Sequence, residues 1–143
     1  MIAVDTNVLL YAFDDRERAK KRTARALLRG LSLGTESAVL PWQVVGEFLA
    51  QLRRWQSLKW IDESRVRRNA AWIRRLFPIE LPTVAVIDRA LELTTTATLS
   101  HWDAMLVAAC LEAGIDTLYT EDMGAPRKIE SLSLVNPFAP AAS

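Results

Sequence analysis

Ile2-Ala3-Val4-Asp5-Thr6-Asn7-Val8-Leu9-Leu10-Tyr11 opens the chain as an apolar run broken by one acid and two small polar residues. The run reads as a buried strand over residues 2–4 that leaves its sheet at Asp5-Thr6-Asn7. Open α/β sheets bind their ligands in the crevice outside the carboxyl ends of the strands, so this reading sets a carboxylate at such a crevice. What the rest of the chain can bring to Asp5 then decides both fold and function.

Working outward, strands alternate with helices. A helix is expected over residues 16–28, led in by Asp14-Asp15, stopped by Gly30 and lying on the surface. Ser37-Ala38-Val39-Leu40 is a short β-type run, and Pro41 suits the first position of the next helix, which runs to about Gln56. On that helix Val44, Val45, Phe48, Leu49, Leu52 and Trp55 share one arc at 100° per residue, and Glu47 falls just outside its edge, able to look into a crevice beside the core. Asp62-Glu63 opens a helix that must end near Phe77, because Pro78 disfavours helical geometry in the residue before it. Ile79-Glu80-Leu81 is a candidate strand, and Thr83 a cap for a helix over residues 84–95. Ser100-His101-Trp102-Asp103 begins the most buried-looking helix, apolar nearly all round from Ala104 to Ala113 and ended by Gly114. Strands follow over residues 115–120 and 131–135. Such alternation calls for an α/β domain with a parallel sheet. No repeat or domain boundary is visible, so one domain is expected over residues 1–138 with a short tail, 139–143.

Composition agrees with a globular domain: 143 residues, 50% hydrophobic and 24% charged, enough chain for a proper core without staples. The single cysteine, Cys110, excludes an internal disulfide, and no apolar run reaches the roughly 18–20 residues of a membrane span, so a reducing cytosol is the expected home. The formal net charge of +1 hides an uneven distribution. Residues 53–75 hold eight bases (Arg53, Arg54, Lys59, Arg65, Arg67, Arg68, Arg74 and Arg75) against Asp62 and Glu63; residues 16–29 hold seven against Glu17. Two such runs suggest a polyanion or an acidic protein as partner, or simply two solvated helix faces.

Asp5, Glu47, Asp103 and Asp122 are the acids that attract notice, two just after strands and two inside largely apolar helices. Each has a plain explanation when taken alone: an Asx-turn, a solvated helix edge, a cap. For Asp103 the Ser100-x-x-Asp103 spacing resembles a capping arrangement, yet on the helical wheel it lies between Val107 and Cys110, pointing along an apolar face. Jointly they say more, since a parallel sheet sets its strand ends side by side and helices starting there turn over the same crevice. Two carboxylates about 4 Å apart repel by roughly 4 kcal/mol at an effective dielectric near 20, so gathered acids imply a cation. One histidine and one cysteine leave nitrogen and sulfur donors scarce. Oxygen-only donors suit Mg²⁺ or Mn²⁺. Beside basic surfaces, that fits metal-assisted phosphodiester hydrolysis, with Thr6, Asn7 and Thr120 as hydrogen-bonding neighbours that steady ligands or water.

His101 reads as a surface or capping residue, since metal-activated water needs no imidazole base. Among five tryptophans, Trp55 and Trp102 look like core, while Trp60 and Trp72 lie among the arginines, where they could stack on RNA bases or pack on a partner protein.

With those residues assembled, the chain resembles PIN-domain proteins, and more narrowly the VapC toxins of bacterial toxin–antitoxin pairs. The resemblance is carried by Val4-Asp5-Thr6-Asn7-Val8-Leu9, by Glu47, by Ser100-His101-Trp102-Asp103-Ala104, by Leu118-Tyr119-Thr120-Glu121-Asp122-Met123 and by the closing Val135-Asn136-Pro137-Phe138. It implies a three-layer α/β/α domain around a mostly parallel sheet, with Asp5, Glu47, Asp103 and Asp122 as the acidic cluster. Asp5, Asp103 and Asp122 would be the ligands of Mg²⁺ or Mn²⁺. It also implies endoribonuclease activity on structured RNA such as tRNA or rRNA, a small cognate antitoxin of the VapB kind, and a homodimer. Glu121 competes with its neighbour Asp122 as the fourth acid, and Arg53, Arg54, Arg67 and Arg68 are candidates for contact with RNA or a partner. Three other readings stand beside this one: a phosphoacceptor receiver domain, which lacks its expected late lysine here; a non-catalytic RNA- or protein-binding module with a structural ion; and a metal-dependent DNA nuclease.

Overall fold

Ile2, Ala3 and Val4 are buried on both faces and form β1 (Ile2–Val4), which pairs in parallel with β2 (Ala38–Pro41) on one side and β4 (Thr117–Tyr119) on the other. A strand so placed must be apolar on both faces, which is why the opening run has no alternation. The structure, a computed structural model, describes residues 1–140. β3 (Ile79–Glu80) extends the sheet beyond β2, β6 (Leu132–Val135) beyond β4, and β5 (Arg127–Ile129) closes that edge, giving the order β3-β2-β1-β4-β6-β5. Every pairing is parallel except β5 with β6.

Six helices complete the domain: α1 (Thr6–Tyr11), α2 (Arg18–Leu33), α3 (Trp42–Ser57), α4 (Glu63–Leu76), α5 (Ala85–Thr96) and α6 (His101–Glu112). Their packing divides into two sets, α1 to α4 among themselves and α5 against α6, as layers on either side of a sheet require. α3 buries Val44, Phe48, Leu52 and Trp55, and leaves Leu49 at the rim, 38% exposed. α6 buries Ala104, Leu106, Val107, Ala108 and Cys110, so it is the most enclosed helix, as expected. The tail expected over residues 139–143 falls partly outside the described part of the chain, which ends at residue 140.

Several boundaries differ from the sequence reading, each for a local reason. α2 does not stop at Gly30 but continues to Leu33 and ends at Gly34. One interior glycine costs about 1 kcal/mol against alanine, and Leu31 packing against the core beyond it outweighs that. Asp14 and Asp15 do not cap this helix; Asp14 grips Arg16, Asp15 pairs with Lys21, and Glu17 at the cap position makes no side-chain capping bond. The helix is a surface one with a narrow buried line, Ala24 and Leu28. Pro41 ends β2 rather than opening α3, whose first residue is Trp42. α5 starts at Ala85, and Thr83 helps it only through its backbone carbonyl, which accepts from Val86 N–H at 3.2 Å. Trp102 is not core: it is 62% exposed at the start of α6. Two elements are additional to the sequence reading, the six-residue α1 and the edge strand β5, whose Arg127-Lys128 is what an exposed edge tolerates.

Candidate active site

Asp5 marks the point where β1 ends, and its backbone N–H still donates to the Tyr119 carbonyl at 2.9 Å, continuing the ladder with β4. Its extended backbone makes it the N-cap of α1, and Oδ1 accepts from Thr6 N–H at 2.7 Å. A helix that starts directly off a strand forces the next two side chains, Thr6 and Asn7, into the same crevice. The cap bond ties Asp5 locally, but it does not exhaust the carboxylate.

Oδ2 of Asp5 accepts from the fully buried Thr120 hydroxyl at 2.8 Å and from Asn7 Nδ2 at 3.4 Å. Asn7 Nδ2 also donates to Asp122 Oδ2 at 2.9 Å, while its Oδ1 accepts from Glu121 N–H at 3.2 Å. Thr120 Oγ1 in turn accepts from Asp122 N–H at 3.0 Å. On the other side, Thr6 Oγ1 donates to Glu47 Oε2 at 2.9 Å. Three small polar residues thus tie Asp5, Glu47 and Asp122, which come from three separate parts of the chain, into one hydrogen-bonded array.

Asp103 makes no side-chain hydrogen bond to this array among the described residues, and its link is through the backbone of its neighbour Trp102. Gln43 Nε2 donates both to Glu47 Oε1 at 2.9 Å and to the Trp102 carbonyl at 3.0 Å, so the first turn of α6, where half-buried Asp103 follows Trp102, is held beside Glu47. Ser100, although at the N-cap position, makes no side-chain capping bond, which removes the capping-box explanation of Asp103. Glu121 is turned elsewhere: Oε2 takes Lys20 Nζ at 2.6 Å and Oε1 takes the Tyr11 hydroxyl at 2.9 Å. Between the two adjacent acids, Asp122 faces Asn7 and Asp5.

Burial is the largest influence on Asp5 and pushes its carboxyl up to about 6; the Thr120 hydroxyl and Thr6 amide oppose this, while the Glu47 and Asp122 carboxylates add to it. Among the described residues no lysine or arginine forms an ion pair with Asp5, Glu47, Asp103 or Asp122. Neighbouring carboxylates with hydroxyl and amide oxygens and no basic partner form the donor set of a hard cation. Among the described residues no three Asp, Glu, His or Cys side chains stand close enough to enclose an ion by themselves.

Gln43, Tyr11 and Lys20 were not anticipated. Gln43 was recoverable, being one helical turn before Glu47 on the same face; the Tyr11 and Lys20 pairing with Glu121 spans 101 residues in the case of Lys20 and left no local trace. Of the anticipated arginines, Arg53 and Arg67 both pair with Glu63 on the outer surface, away from the acids, and Arg54 is exposed. His101 is exposed, its ring edge-on to Trp102 at 4.7 Å between centroids.

Comparison with known proteins identifies the fold. A family model described as PIN domain matches residues 2–129. No curated protein matches the sequence. Among solved structures, a toxin–antitoxin complex from Klebsiella pneumoniae is similar over 96% of this chain and 98% of its own, at 18% identity and a TM-score of 0.67. VapBC2 from Rickettsia felis, bound to a DNA fragment from its promoter, gives 94% and 97% coverage, 14% identity and a TM-score of 0.69. Mycobacterium tuberculosis VapC20, a Sarcin-Ricin loop cleaving toxin, gives 87% and 92% coverage, 23% identity and a TM-score of 0.62. At these identities the likeness to the solved structures is one of fold.

Proposed function

The chain belongs to the PIN-domain family, and on that premise we propose that it is a divalent-metal-dependent endoribonuclease, the toxin of a toxin–antitoxin pair, working in the cytoplasm as a single domain over residues 1–138. The observation that carries this reading is the buried Asp5 carboxylate, hydrogen-bonded into an array with Glu47 and Asp122 and without a basic partner. Asp5, Asp103 and Asp122 would hold Mg²⁺ or Mn²⁺, one or two of them directly and the rest through the ion's waters, and the bound ion would supply Lewis-acid activation of the scissile phosphodiester and of water.

The chain's own groups do the positioning. Asn7 fixes Asp122 relative to Asp5, and Thr120 locks the Asp5 carboxylate from beneath. Thr6 and Gln43 each hold one oxygen of Glu47, leaving that exposed carboxylate oriented to accept a proton or hold a water at the cleft. Outer hydrogen bonds of this kind are worth 10- to 100-fold in related metal sites. Structured RNA of the tRNA or rRNA class is the proposed substrate. The fold-level similarity to a toxin that cleaves the Sarcin-Ricin loop supports that class, and similarity to toxin–antitoxin complexes supports a cognate antitoxin; a homodimer is proposed as the toxin's own assembly.

Purified protein free of antitoxin, incubated with total RNA and Mg²⁺ or Mn²⁺, should shorten it, and chelator or Asp5→Asn should stop the cleavage. Cleavage that persists in chelator, or in Asp5→Asn, removes the metal mechanism. RNA shifted on a gel but never shortened would make the protein a binder instead.

A further inference from the structure

The two basic runs, separate in sequence, face each other across a trough between α2 and α4. Four adjoining depressions share its walls: Asp15 lines three of them, Lys21 and Arg25 of α2 line two, and Arg65 and Arg68 of α4 line two. Electrostatics tells the same story at one point, since the Asp15 carboxyl is held below its usual range by Lys21 first and also by Arg65 and Arg25, cations of both helices.

The acids in the trough are already satisfied. Asp14 takes Arg16, Asp15 takes Lys21, and Asp62 caps α4 through Arg65 N–H. Arg18, Arg22, Lys59, Arg65 and Arg68 form no ion pair among the described residues, although all are exposed. Aromatic surface reaches three of the four depressions, all lined by Phe13, and is interrupted by the arginines: Trp60 is 52% exposed with the Arg16 guanidinium 4.1 Å over its ring, and Phe13 stands edge-on to Trp72 at 5.3 Å beside Arg65 and Arg68. The fourth depression, of about 700 Å³, is lined by Asp15, Arg18, Lys21, Arg22 and Arg25 and contains no apolar residue. An amphipathic protein helix needs an unbroken apolar floor, whereas a single nucleic-acid strand needs spaced cations and an occasional ring to stack on.

The same helix, α2, touches both the trough and the segment that carries Asp122. α2 sends Lys20 to Glu121, the residue before Asp122, and the next residue, Lys21, to Asp15 in the trough. We propose that the α2–α4 trough binds a single-stranded segment of the RNA substrate, with phosphates on Arg18, Arg22, Arg65 and Arg68 and an unstacked base on Trp60. This rests on the endoribonuclease reading for the identity of the polyanion.

The test uses the full chain carrying Asp5→Asn, in chelator, so that binding is read without cleavage. The probe is a fluorescein-labelled 12-nucleotide oligouridine followed by anisotropy. Arg65→Glu/Arg68→Glu should bind about tenfold more weakly near 0.1 M salt and flatten the slope of log K against log salt by about 1.4, two phosphate contacts at about 0.7 each. Trp60→Ala should weaken binding with the slope unchanged. Arg74→Glu/Arg75→Glu, the same charge change farther along α4, should bind like the parent, and a duplex probe should bind more weakly than the single strand.

Equal losses in both arginine pairs, no loss in Arg65→Glu/Arg68→Glu, or preference for the duplex overturns the proposal. Binding of fluorescent polyglutamate in place of oligouridine, lost in the same variant, would make the trough a protein-docking surface and overturn it too. The two readings fail separately: RNA bound through the trough but never cut by the unmodified chain sinks the nuclease alone, and undiminished cleavage of total RNA by the Arg65/Arg68 variant sinks the trough alone.

Discussion

Asn7 Nδ2 lies 2.9 Å from Asp122 Oδ2, bridging residues 115 apart across the ends of β1 and β4. Asn7 can do this because Asp5 caps α1 and so turns the second residue of the helix into the crevice. Its amide nitrogen reaches two carboxylates and its oxygen takes the Glu121 N–H, so one side chain sets the spacing of Asp5 and Asp122. Asn7→Ala should therefore cut RNA cleavage about 10- to 100-fold while costing at most about 1–2 kcal/mol of stability. Initial rates on RNA and a urea melt check the two halves; full activity in the variant would show that Asp122 needs no such holder.

Glu121 and Asp122 are neighbours with opposite duties. Glu121 is bonded to Lys20 and Tyr11, and Phe138 stacks edge-on against Tyr11 at 5.0 Å to enclose that cluster. Glu121→Gln should keep cleavage within about threefold of the parent, whereas Asp122→Asn should lose at least about 100-fold. Rates for the two variants side by side decide it, and the reverse ranking would make Glu121 the fourth acid.

Much of this site was legible because strand ends in an α/β fold are marked by local composition: Val4-Asp5-Thr6 and Tyr119-Thr120-Glu121-Asp122 each pass from apolar to polar in one step. Glu47 at the rim of an apolar arc was equally visible through helical periodicity. The brief helix α1 was not, because Val8-Leu9-Leu10-Tyr11 carries no helical period over so short a length. β5 was hidden by its charge, and Trp102 read as core because its helix is apolar nearly all round, a pattern that leaves no polar face to betray which end is open. The basic runs were obvious as charge, yet their convergence on one trough is a tertiary fact: α2 and α4 are brought together by packing with α1 and α3. Nothing in either helix alone announces it.

Phe48 anchors the helical layer that carries Glu47. It is fully buried and packs on Phe13 at 5.6 Å between ring centroids, tying α3 to the segment after α1. Phe48→Ala should cost about 3–5 kcal/mol, whereas Leu49→Ala, one residue on and at the rim, should cost under about 1.5 kcal/mol. Urea midpoints at unchanged m-value measure both, and comparable losses would mean that α3 is seated by its other face.

Asp5 makes the ion-free protein sensitive to pH in a direction opposite to an ordinary salt-bridged acid. Its carboxyl is raised from 3.8 to about 6 in the folded chain, so the folded state favours the neutral form. The stabilisation this brings is complete below about pH 4 and is lost as pH rises through 6, leaving a buried charge that costs about 3 kcal/mol at 1.36 kcal/mol per unit. Asp5→Asn keeps the polar shape and removes the titration. In chelator, then, the stability of the variant relative to the parent should grow from pH 4 to pH 8 by up to about 3 kcal/mol. Mn²⁺ at a hundred times its dissociation constant should stabilise the parent by about 2.7 kcal/mol and the variant far less, closing the gap from the other side. Thermal melts of both proteins across that pH range, with chelator and then with Mn²⁺, measure the two effects. A gap that stays flat with pH would show that Asp5 is solvated, and equal stabilisation of both proteins by Mn²⁺ would place the ion away from Asp5.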